Sequence, residues 1–199
     1  MKALKTLTEE IGGWWTGVQF HFDDAPQPDP KSKALRFCEA VAASRTGPVI
    51  LTPERTDCPG ARRSFNWADG DDAALAAAMT EKTGIAAEAA RGLIFETPRL
   101  KSRPQAITVG ECPQPDVALS FIQAEAAMKL LRRLEEHSGG ALSVKMPTVM
   151  AACGNVAVKA YLTRLPCFSF GCPDSREHGA IGRDQLIVGL PVDLAVELA

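Results

Sequence analysis

The chain has no CxxC pair among its six cysteines, so it lacks the spacing by which most cysteine metal sites and dithiol redox sites are recognised. It also has no GxGxxG, Walker loop, HExxH or GxSxG. Those motifs mark dinucleotide-binding proteins, nucleotide-binding proteins, zinc proteases and serine hydrolases. The sequence therefore carries none of the familiar signatures of these four classes. Any chemistry must therefore depend on residues that only the fold brings together.

An excess of charge is missing as well, since 22 basic and 24 acidic residues give a net charge of −2. Such a chain has no overall field that would hold nucleic acid or an anionic membrane. No stretch approaches the roughly 18 consecutive apolar residues of a membrane span, and the first ten residues suit an amphipathic helix rather than a secretory signal. We therefore expect a cytoplasmic protein with no nucleic-acid or membrane partner. Its expected partners are small molecules or a redox protein, and its oligomeric state is open, a homo-oligomer included.

The length of 199 residues and the hydrophobic content of 46% predict one domain, residues 1–199, with a substantial core. Predicted strands cover residues 106–110, 116–123 and 142–145, and predicted helices cover residues 71–83, 124–137 and 153–163. The strand at 116–123 is nearly all apolar, which predicts burial on both faces. Helices and strands alternate along the chain, so we predict a mixed α/β (α+β) fold in which helices flank a mixed sheet.

Two cysteines, Cys58 and Cys172, stand directly before a proline at predicted helix starts. A thiolate at a helix N-terminus is stabilised by free backbone N–H groups, which lowers the pKa of the thiol. Both residues are thus candidate reactive or metal-ligating thiols. Cys38, within a helix, and Cys153, near a helix start, fit equally well as small apolar core residues. Three disulfides would be the alternative in an exported protein.

The candidate metal ligands are Cys38, Cys58, Cys153 and Cys172, with separations of 20, 95 and 19 residues. Four converging thiolates would suit zinc or an iron–sulfur cluster, and three would leave one cluster iron open to a small ligand. A cubane cluster requires the sulfur atoms within roughly 6–7 Å of one another.

Three arginines follow the helix-start cysteines by about one helical turn. They are Arg62, Arg63 and Arg176. Guanidinium groups at these positions would favour thiolates and could bind a carboxylate or phosphate, so we predict them as cofactor-binding residues.

Six segments, residues 36–41, 57–61, 115–119, 158–163, 170–177 and 186–191, together resemble the domain-of-unknown-function family 169 over most of the chain. In this bacterial and archaeal family, cysteines recur at positions that match the four candidate ligands. The resemblance implies a cytoplasmic protein common among anaerobes and supplies no reaction. Cys112 and Cys167 are additional in this chain, and we predict that both are structural.

Three hypotheses follow. The first is a metalloprotein that binds an iron–sulfur cluster, [4Fe–4S] in type, for electron transfer or for small-ligand chemistry, with zinc as the alternative metal. The second is a metal-free thiol enzyme or redox sensor in which Cys58 or Cys172 is the nucleophile. The third is a small-molecule binding module whose cysteines belong to the core. Whether the protein is an enzyme is open among them.

Overall fold

The computed structural model describes residues 2–68 and 71–199. Its α-helices are α1 (Lys2–Glu10), α2 (Phe37–Ala43), α3 (Pro59–Ser64), α4 (Asp72–Thr83), α5 (Ala87–Glu96), α6 (Ala124–Ser138), α7 (Lys159–Thr163), α8 (Pro173–His178) and α9 (Val192–Glu197). Its strands are β1 (Trp14–His21), β2 (Val49–Leu51), β3 (Ala106–Gly110), β4 (Val117–Gln123), β5 (Cys167–Ser169) and β6 (Gln185–Pro191). A 3-10 turn at Pro53–Arg55 and a π-helix at Ala151–Val158 are the other helical segments.

The strands form one six-stranded sheet in the order β2-β3-β1-β4-β6-β5. This sheet together with the helices confirms the predicted α/β class. Within the described residues every pair of neighbouring strands is antiparallel, where we predicted a mixed sheet. The difference arises because strands of the same direction, such as β1 and β2 or β4 and β5, are separated in the sheet by a strand of opposite direction, so alternation in sequence does not by itself give parallel neighbours. A parallel contact occurs outside the strands, as an isolated bridge between Leu35 and Thr56.

Both faces of the sheet are covered. In β4 the side chains of Val117 and Leu119 belong to one apolar core, while Ala118 and Ile122 belong to another. The predicted burial of this strand on both faces is therefore confirmed. The first core lies beneath α2, α3 and the π-helix, and the second beneath α1, α6 and α9. The sheet is thus the middle layer of three.

Two predicted elements differ from the structure. Residues 142–145 form no strand, and Leu142 and Val144 instead pack partly buried against the second core. The segment predicted as one helix at 153–163 is the π-helix followed by α7. π-Helical turns are rare and concentrate at functional sites, so this segment draws attention to its surroundings.

In residues 2–68 and 71–199, no helix has both the length and the apolar character needed to cross a membrane.

Candidate functional site

A cavity of about 170 Å³ lies on the first-core side of the sheet. Its lining includes Cys38, Cys58, Cys153 and Cys172, called here the cavity cysteines. They come from four separate elements: α2, the residue before α3, the π-helix and the residue before α8. All six cysteines of the chain lie in the described residues and are free thiols.

The helix starts predicted at Cys58 and Cys172 are confirmed. Cys58 is the N-cap of α3 and Cys172 is the N-cap of α8, each followed by a proline in the first turn. Proline suits that position because an N–H there would have no acceptor within the helix, so its absence costs nothing. The φ angle of proline is also close to the helical value. The Cys-Pro sequence therefore places both cysteines at the N-cap of a helix.

Local contacts connect the cysteine-bearing elements. The thiol of Cys38 donates to the backbone carbonyl of Asp174, with the sulfur and oxygen 3.9 Å apart, so α2 meets α8. The Ser64 hydroxyl, which donates to the Gly60 carbonyl, lies 3.9 Å from the sulfur of Cys153, so α3 meets the π-helix. Two pairs of elements thereby hold their cysteines toward the same space.

The cavity sulfurs are not packed at the spacing of a small metal ion. In the described part of the chain, the one set of three or more potential ligand atoms within 4.8 Å of one another is Asp174, Glu177 and His178. No three cavity sulfurs lie that close together. The acidic groups of that set already have a cation, because the ammonium of Lys82 pairs with Asp174 and lies 3.1 Å from Glu177.

Burial disfavours the thiolate form of Cys38, Cys58 and Cys153. It raises the pKa of Cys38 to about 12 and the pKa of Cys153 well above its ordinary value. Burial also raises the pKa of Cys58, because the opposing hydrogen bond from the Ala61 N–H and the charge of Arg36 do not outweigh lost hydration. The expected lowering at the helix start is thus wrong for Cys58.

The other walls of the cavity are mainly apolar. The large apolar side chains there are Phe37, Leu75, Met79, Ile94, Val149 and Met150. The sequence analysis missed them. In α4 the lining residues 75, 78, 79, 82 and 83 share one helical face, but the alanine-rich sequence gives that face too little apolar contrast to be recognised.

The arginines predicted to bind a cofactor contact other groups. Among the described residues that line the cavity, Arg62, Arg63 and Arg176 are absent. Arg62 donates to the carbonyl of Pro53. Arg176 donates to backbone carbonyls that include that of Gln185, at 2.8 Å. Both guanidinium groups therefore hold loops in place.

Arg63 is the most buried of the three and binds two segments at once. It donates to both carboxylate oxygens of Asp72, at 2.6 and 3.0 Å, and to the carbonyl of Thr97 at 2.9 Å. Spacing along the helix predicted only the direction of the Arg63 side chain. Its partners could not be predicted in this way, because they lie at the start of α4 and just after α5.

Other cations stand beside the cavity instead. Arg36 lies 3.2 Å from Asp174, and its charge acts on the thiols of Cys38 and Cys58. Lys82 lines the cavity itself. The positive charge expected near the cysteines is therefore supplied by residues that the sequence analysis did not select.

The fold and the cavity define an α/β protein whose antiparallel sheet supports an apolar pocket lined by four free cysteines. The family model described as DUF169, uncharacterised ArCR, matches residues 16–199. The chain therefore belongs to this family, as its sequence segments indicated. Comparison with curated proteins and with solved structures gives no match.

Proposed function

We propose that the cavity cysteines bind an iron–sulfur cluster, [4Fe–4S] in type. The observation that carries the proposal is that four cysteines, distant in sequence and on separate elements, line one cavity. Cys112 and Cys167 are buried as Cys38 and Cys153 are, yet neither belongs to that lining. If the cysteines were only small apolar core residues, we would not expect four of the six to line one cavity.

The residues fit such a group in size and in donor chemistry. A cavity of about 150 Å³ holds a molecule of benzene, so the volume of about 170 Å³ suits a compact inorganic group. Thiolates are the ligands that iron–sulfur clusters and zinc prefer. When bound, a cluster of this kind supplies one-electron transfer, and with three thiolate ligands it offers an iron to a small ligand.

The spacing of the sulfurs favours a cluster over a single zinc ion. Tetrahedral zinc with bonds of about 2.3 Å places its ligand sulfurs close to 4 Å apart. No three cavity sulfurs of the described structure lie within 4.8 Å of one another. A cubane cluster takes sulfur atoms roughly 6–7 Å apart, so it does not require them to lie that close together.

The surrounding charges and walls support the same function. Arg36 and Lys82 offset part of the negative charge of a thiolate-ligated group. The apolar walls limit water, which affects the reduction potential of a buried cluster. Six free thiols also suit the reducing cytoplasm. A redox protein or a small molecule would then be the partner.

The metal-free alternatives have weaker support. A nucleophilic cysteine requires a thiolate near neutral pH, and burial raises the pKa of Cys58 away from that range. A metal ligand does not have this requirement, because a buried thiol releases its proton when it binds the metal.

Anaerobic purification with iron and sulfide analysis tests the proposal. We expect a brown protein that absorbs near 400 nm and holds about four iron and four sulfide per chain. Replacing any one cavity cysteine with serine should lower the iron content, whereas Cys112→Ser and Cys167→Ser are the matched controls. A protein that remains colourless and iron-free after anaerobic reconstitution would contradict the proposal, and bound zinc without sulfide would replace the cluster with a zinc site.

A further inference from the structure

Helix α4 packs over the cavity with one face and is otherwise mostly exposed. Its residues 75, 78, 79, 82 and 83 line the cavity. Of its twelve residues, Ala76 alone is buried. α4 therefore contributes little to either main core and lines the cavity of the cysteines instead.

The two ends of the hairpin formed by α4 and α5 (residues 72–96) meet at one buried arginine. Arg63 is bound to Asp72 at the start of α4 and to the Thr97 carbonyl just after α5. Thr97 in turn accepts a hydrogen bond at 2.9 Å from the side-chain amide of Asn155 in the π-helix. The small cluster of Ala76, Ala90, Ile94 and Val149 packs near the same end. This base is fixed to the rest of the protein.

The opposite end of the hairpin is held differently. Residues 81–89 are exposed except for the half-buried Ile85. Lys82 pairs there with Asp174 and Glu177 of α8, the helix that follows Cys172. These ion pairs are partly exposed to solvent, so they are weak and sensitive to salt. A region with few buried contacts and exposed polar links is the kind that opens locally.

We propose that the α4–α5 hairpin is a lid over the cavity cysteines, which opens at its Lys82 end while Arg63 holds its base. This inference deepens the proposed function, because it names how access to the same cavity is controlled. The lid stands on the packing of the metal-free protein, so its test does not require a bound cluster.

The test measures how fast iodoacetamide, a small neutral reagent, alkylates Cys58 and Cys172 in the reduced, metal-free protein. Lys82→Ala should speed the alkylation about threefold, the size expected when a partly exposed ion pair is lost. Removing a positive charge disfavours the thiolate and would by itself slow the reaction. Faster labelling therefore reports greater access rather than electrostatics, and hydrogen exchange distinguishes opening of the hairpin from loss of a side chain that lines the cavity. Hydrogen exchange in α4 should rise in parallel while exchange in α6 is unchanged.

Matched variants separate the lid from general destabilisation. Lys82→Arg keeps the charge and should label like the wild type. Lys129→Ala removes a comparable ion pair on α6, where Lys129 lies 3.1 Å from Glu125, and should also label like the wild type. Unchanged labelling in a folded Lys82→Ala protein, or α4 exchange no faster than global unfolding, would overturn the lid. Failure of iron binding alone would leave the lid in place and remove only the proposed function.

Discussion

Gly179 lies directly against Cys38. A Cβ at residue 179 would be 2.8 Å from the Cβ of Cys38 and 2.6 Å from the carbonyl oxygen of Ser175. Only glycine lets the end of α8 approach α2 this closely, and this approach sets the position of Cys38 relative to Cys172.

Gly179→Ala should therefore impair metal binding at the proposed site without removing a sulfur. The added methyl group must push α2 away from α8, since a backbone oxygen blocks the other direction. We expect less iron per chain after anaerobic reconstitution and weaker absorbance near 400 nm. Gly140→Ala is the control, because a Cβ there meets nothing within 4 Å. Equal iron content in both variants would contradict the predicted role of Gly179.

Gly154→Ala should destabilise the π-helix. A Cβ at this residue would lie 2.5 Å from the Thr97 methyl and 2.6 Å from the Ser64 hydroxyl, both of which are buried. Overpacking of this kind costs about 1–3 kcal/mol in the free energy of unfolding. Gly92→Ala in α5 meets open space and should stabilise the protein by about 0.5–1 kcal/mol, because alanine favours a helix. Urea denaturation of both variants measures the difference, and a shift of the same sign in both would count against this packing.

Arg63→Met should destabilise the protein more than Asp72→Asn. Methionine keeps most of the volume but leaves the Thr97 carbonyl without its donor, which costs about 1–3 kcal/mol for a buried acceptor. The Asp72 side chain is 47% exposed, so losing its charge should cost less than about 1 kcal/mol. Thermal unfolding compares the two variants. If Asp72→Asn proved the more damaging, the role of Arg63 at the base of the hairpin would need revision.

The metal-free protein should lose stability in alkaline solution. Burial raises the pKa of Cys38 to about 12, so the folded state favours the protonated thiol relative to the unfolded chain. The stabilisation that comes from this shift is fully present below the ordinary thiol pKa. It is lost as the pH rises toward the pKa of Cys38 in the folded protein. Each such thiol should remove about 1 kcal/mol of unfolding free energy between about pH 9 and about pH 10.

Denaturant unfolding at several pH values measures this dependence. Cys38→Ala removes one titrating thiol and should flatten the alkaline decline. An identical decline in the variant and the wild type would show that Cys38 does not contribute. Added metal should also bind more tightly as the pH rises, because the thiols must lose their protons.

Local sequence signals predicted the parts of the site that depend on neighbouring residues. Cys-Pro pairs fixed the helix starts at Cys58 and Cys172, and an uninterrupted apolar run fixed the double burial of β4. The partners of Arg63 could not be found in this way, because they lie on a hairpin whose packing is tertiary. The π-helix was missed for a similar reason. It follows Met150 in the left-handed region at φ 41°, and its side chains are all buried, so packing rather than helical propensity selects it.

The dispersed origin of the cavity wall has a consequence for synthesis in the cell. During synthesis α2 and α3 emerge well before α8, because α8 follows α3 by more than a hundred residues. Until then the pocket lacks Cys172 and has no complete set of thiols to offer. The proposed cluster would therefore find all four of its ligands only after α8 has been synthesised and has packed against α2.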